Sequence, residues 1–184
     1  MNLKSHGLFK RENKSMKAIL YVATSLNGMM TQGETNSDWV SEEDEKMFAE
    51  VCSGVGAILV GRQTFDQYQG IVYPVPETQN IVLTSQERVS DDPNVKYASN
   101  FDMALSLMED SGIDRFIVVG GANIIGQCLQ KGLVNTIYLS LHPFIFSNGL
   151  SMIGDFNGDM NLTFKGVKHQ STNFILLEYG VNNA

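Results

Sequence analysis

Cysteine, proline and positive charge are scarce in this chain. It has two cysteines, four prolines and one tryptophan. Cys52 and Cys128 fall in apolar segments with helical spacing, so we expect buried free thiols rather than a disulfide. Without accompanying histidines they make no zinc site, and no metal is expected. This cysteine usage favours a reducing cytoplasm. Lysine and arginine number 13 against 20 acidic residues, a formal net charge of −7. That balance argues against nucleic acid or an anionic membrane as the main partner. No apolar run approaches the roughly 18 residues of a membrane helix, and no signal peptide is visible. Charged residues are 18% and apolar residues 43%, a composition that packs a core rather than staying disordered.

Two regions are expected along the 184 residues. Residues 1–15 carry Lys4, Lys10, Arg11 and Lys14 against a lone Glu12 and read as a flexible tail. Residues 16–182 read as one domain. Within it, apolar β-rich runs at 17–23, 57–60, 80–84, 95–98, 116–119 and 136–141 alternate with helical patterns near 41–52, 64–68, 102–108 and 122–130. Segments 162–169 and 173–179 predict a closing antiparallel hairpin. Continuous apolar strands separated by helices imply an α/β fold, with a mostly parallel sheet covered on both faces. The hairpin makes the sheet mixed.

Chemistry concentrates in two glycine-bearing turns. Gly61-Arg62-Gln63-Thr64 directly follows the run Ala57 to Val60, and Gly120-Gly121 follows Phe116 to Val119. Such strand-to-helix turns aim backbone N–H groups and a helix dipole at an anion. Arg62 adds a donor fork suited to phosphate. The spacing from Gly121 to Gly126 imitates a P-loop, but Gln127 stands where lysine is required, which excludes nucleotide hydrolysis by that device. Asp44 is the candidate acid. At helical spacing it shares a face with Phe48, and a carboxylate beside an apolar wall can hold a ring N–H. Ser41 to Asp44 is equally a helix-capping arrangement. His142 precedes Pro143 at a strand end and reads as structural.

These segments, taken in order, resemble the dihydrofolate-reductase-like superfamily. They most resemble the reductase domain at the C-terminus of the bifunctional riboflavin-biosynthesis deaminase-reductase. Ala23 to Gly28, Trp39 through Asp44 to Phe48, Ile58 to Thr64 and Val118 to Gly121 carry the resemblance. It implies a three-layer α/β/α domain that binds NADPH. The cofactor residues would be Ala23, Gly61, Arg62, Gln63, Thr64, Thr84, Ser85, Val119, Gly120, Gly121, Ala122, Asn123 and Ile124, with Arg88 a weaker candidate. It also implies a cis Gly120–Gly121 peptide. Asn27, Trp39, Asp44, Phe48 and Ser140 would bind substrate, with Asp44 catalytic.

The expected activity is hydride transfer to a C=N or C=O carbon of a pyrimidine- or pterin-like molecule. In the riboflavin-type branch the reaction reduces the ribosyl group of a pyrimidine ribose phosphate to ribityl. Dihydrofolate reduction proper and a non-catalytic nucleotide-binding or stress-related protein are the alternatives. Two departures bear on substrate. Thr78-Gln79 occupies the stretch where folate reductases carry an arginine, and residues 65–78 contain no lysine or arginine. The resemblance further implies a homodimer, with the last hairpin contributing an edge.

Overall fold

The computed structural model describes residues 16–182, so the expected tail at 1–15 lies outside the described residues. The chain runs β1 (Lys17–Ser25), α1 (Glu42–Val55), β2 (Ala57–Gly61), α2 (Arg62–Gln67), β3 (Gln79–Leu83), β4 (Val95–Ala98) and α3 (Phe101–Asp110). It continues with β5 (Arg115–Gly120), α4 (Ala122–Gln130), β6 (Val134–His142), β7 (Asn161–Gln170) and β8 (Ile175–Asn182). Eight strands form one sheet in the order β4-β3-β2-β5-β1-β6-β8-β7. The first six pair in parallel, and β8 and β7 are antiparallel additions.

Strand alternation divides the core into two layers. On β1, Ala18, Leu20 and Val22 face one cluster, while Ile19 and Tyr21 face the other. The first cluster is covered by Phe101, Ala104 and Met108 of α3 and by Ile124, Ile125 and Cys128 of α4. The second is covered by Phe48 and Cys52 of α1 and by Phe65 of α2. Each side of a fully buried strand thus meets helices, which is why β2 and β5 read as unbroken apolar runs. Both cysteines are free and buried.

Local chemistry sets the helix limits. Ser41 is the N-cap of α1, and its hydroxyl accepts from the Asp44 N–H at 3.3 Å. Glu42, Glu43, Asp44 and Glu45 fill the first turn, where the helix dipole favours anions. Gly56, at φ 87°, ends the helix in the left-handed conformation and returns its N–H to Cys52. This helix runs three residues past the expected Cys52, because that glycine sets its end.

Candidate active site

A cavity of about 580 Å³ opens where β1, β2, β3 and β5 end. The carboxyl ends of parallel strands are the usual binding edge of an α/β sheet. Here β2 and β5 separate: Leu59 pairs with Val118 but Val60 pairs with Gly120, so Val119 bulges out of register. Gly120 and Gly121 then take φ of 153° and 82°, and Gly121 is the N-cap of α4. A Cβ on Gly61 would meet Ile124 Cδ1 at 3.3 Å and Gly121 Cα at 3.9 Å. The two turns therefore lie side by side, with the Ile124 side chain packed against Gly61.

All thirteen cofactor candidates line this one cavity, from Ala23 on β1 through Arg62, Gln63 and Thr64, Thr84 and Ser85, to Val119 and Ala122 to Ile124. Adjacent glycine backbones, a helix N-terminus and an arginine fork fit a dinucleotide pyrophosphate. The expected cis peptide does not form. The Gly120–Gly121 bond is trans, and the cis bond among the described residues is Tyr73–Pro74. Positive φ at both glycines turns the chain instead. Thr84 Oγ1 accepts from the Gln86 N–H at 3.1 Å, stiffening the turn it begins.

Arg88, the weaker candidate, does not line the cavity. It grips Asp66 with two bonds of 2.7 and 3.0 Å, while Arg62 donates to the same carboxylate at 3.0 Å. Arg88 first and Arg62 second hold the Asp66 carboxyl below its usual range.

Asp44 lies in the cavity wall yet is only 1% exposed. Tyr21 Oη donates to its Oδ1 at 2.5 Å, and Ser140 Oγ donates to Oδ2 at 2.8 Å. His142 Nε2 lies 3.1 Å from Oδ2 and 3.2 Å from Ser140 Oγ. Burial, and then the adjacent carboxylate, push the Tyr21 phenol well above its ordinary range, so it stays a donor. Phe48 shares the wall and meets Tyr21 edge-on at 5.3 Å.

Three substrate candidates sit elsewhere. Ser140 is fully buried behind Asp44 and reaches the cavity through that carboxylate. Trp39 packs edge-on against His142, Phe144 and Phe146 at 5.2 to 5.9 Å and stands off the cavity wall. Asn27 donates to the Phe146 carbonyl at 2.8 Å and accepts from Ser25 and the Phe146 N–H, tying two loops together. His142, read as a structural strand end, does end β6, and it also joins the acid. Its ring is stacked on Phe174 at 5.4 Å. Tyr21 was absent from the expected set as well. Both carried a signal: Tyr21 is the polar-tipped residue of an apolar strand, and His142 is two residues beyond Ser140, on the same strand face.

The segment between β1 and α1 supplies another wall through Thr31, Thr35, Ser37 and Val40. Tyr68 fastens it by bonding the Ser37 hydroxyl and Asp38, and Gln67 donates to the Thr35 carbonyl at 3.3 Å.

Comparison with known proteins gives a consistent relationship. The model of the RibD C-terminal domain matches residues 16–176. An uncharacterized protein of Bacillus subtilis, YwjB, is 22% identical over 159 residues, covering 83% of this chain and 91% of that one. A dihydrofolate reductase of Candida albicans is 29% identical over 85 residues, 46% of this chain and 43% of that enzyme. The deaminase/5-amino-6-(5-phosphoribosylamino)uracil reductase of Thermotoga maritima has a structure superposing with a TM-score of 0.71 at 18% identity. That match covers 92% of this chain and 57% of the larger one. The fold is dihydrofolate-reductase-like, as expected.

Proposed function

The chain belongs to the RibD C-terminal domain family, a reductase family, and from that premise we propose an NADPH-dependent reductase of a pyrimidine- or pterin-like heterocycle. One observation carries the reading. Residues scattered from Ala23 to Ile124 converge on one cavity, and its wall also holds a buried carboxylate. The nucleotide phosphates would rest on Gly61, Gly120, Gly121 and the α4 N-terminus, with Arg62 beside them. When bound, the reduced nicotinamide supplies a hydride to an electrophilic carbon.

The residues of this chain supply geometry. Asp44 accepts a ring N–H and fixes which carbon faces the nicotinamide. Tyr21, Ser140 and His142 lock its carboxylate orientation. Phe48, Val72 and Tyr73 give the ring an apolar wall and help exclude water.

Thermal unfolding with NADPH, with NADH and with neither tests the cofactor. A ligand at 100 times its Kd adds about 2.7 kcal/mol of stability, a clear shift in Tm. NADPH is expected to stabilise well above NADH, because Arg62 suits the additional phosphate. No shift with either nucleotide contradicts the reading.

A further inference from the structure

Asp44 has little hydrogen-bonding capacity left for a ligand. A carboxylate offers about four lone-pair sites. Tyr21 occupies one on Oδ1, and Ser140 and His142 occupy both on Oδ2. That leaves one lone-pair site on Oδ1 without a partner among the described residues.

The charge around it is also one-sided. Glu34 and Glu45 line the same cavity as Asp44, and Arg62 is the only lysine or arginine among its described lining residues. Arg62 belongs to the glycine turns and already donates to Asp66. Burial first, and then the charges of Glu42 and Asp44, raise the Glu45 carboxyl. Tyr21, Phe48, Val72 and Tyr73 also line the cavity, together with uncharged polar residues such as Thr31, Thr35 and Ser37. A phosphate brought beside Asp44 would lose its water and meet carboxylates, and the one lysine or arginine among the described lining residues, Arg62, already pairs with Asp66.

We propose that this cavity takes a phosphate-free nitrogen heterocycle, anchored through a single N–H on Oδ1 of Asp44. A ring carrying a ribose phosphate is thereby rejected. The inference rests on the reductase reading and narrows its substrate class.

The test is calorimetric titration of the full chain, first with NADP+ and then, once saturated, with two probes. One is 5-amino-6-(ribosylamino)uracil and the other its 5-phosphate. We expect the phosphate-free probe to bind at least about tenfold more tightly, a gap of about 1.4 kcal/mol. In the Glu34→Gln/Glu45→Gln double variant the gap narrows through tighter binding of the phosphate. In Asp44→Asn both probes weaken while NADP+ affinity holds, which also shows that this variant is folded. Equal or tighter binding of the phosphate by the unmodified chain overturns the inference, as does failure of both probes to bind the NADP+-loaded protein. Absence of NADP+ binding in the first titration contradicts the reductase reading itself, and the inference falls with it.

Discussion

The glycine turns and the Asp44 cluster are two halves of one cavity, built in opposite ways. The turns are contiguous in sequence and act through backbone: Gly61 to Thr64 and Gly120 to Ile124 each follow a buried strand and open a helix. The acid cluster is made of side chains only. It joins Asp44 of α1 to Tyr21 of β1 and to Ser140 and His142 of β6, separations of 23, 96 and 98 residues. A backbone site survives most side-chain changes near it. A buried carboxylate held by three donors depends on each of them, because an unmatched polar group in the interior is costly.

This contrast yields ordered predictions. Asp44→Asn should have the largest effect, lowering turnover by about 10²-fold or more while NADPH affinity changes little. Steady-state rates beside nucleotide titrations would check it. Equal losses in both would merge the two halves into one. Gly121→Ala should do the reverse. A side chain at φ 82° costs of order 1–3 kcal/mol, so Tm should fall and nucleotide stabilisation should shrink.

Tyr21→Phe removes one donor from Oδ1 and should cost about 1–2 kcal/mol in denaturant unfolding. It also opens a second acceptor site on that oxygen, so a ligand edge with two donors, such as 2,4-diaminopyrimidine, should gain affinity in the variant. No gain would mean that Oδ1 does not face the ligand.

The smallest effect is expected at Asp66, the carboxylate shared by Arg62 and Arg88. Its folded pKa is depressed, so its contribution is present above the ordinary carboxylate pKa near 4 and is lost as pH falls through the lower folded value. Asp66→Asn should flatten that acid limb by a few tenths of a kcal/mol, since the pair is partly solvated. Stability measured from pH 5 down to 2 would show it. An unchanged acid limb would assign no linkage to this cluster.

Legibility in the sequence followed the same division. Apolar runs ending in glycine marked β2 and β5, because a strand buried on both faces needs continuous apolar residues. The placement of those turns along one cavity was therefore readable, but not the peptide geometry between Gly120 and Gly121. The Asp44 cluster was readable only in part. Ser41 to Asp44 was both a cap and an acid, and the structure uses it as both: Ser41 caps the helix while the Asp44 side chain points inward to Tyr21. His142 escaped because its partner lies almost a hundred residues away. Trp39 and Asn27 pack against the 142–146 segment rather than the cavity. No local pattern encodes how the segment between β1 and α1 folds onto another loop.

Backbone hydrogen exchange with and without saturating NADPH tests the central claim most directly, and it needs no substrate. The account predicts added protection at residues 61–64 and 120–124, with residues 161–182 unchanged. Unchanged exchange at both glycine turns, or protection confined to the terminal hairpin, would contradict it.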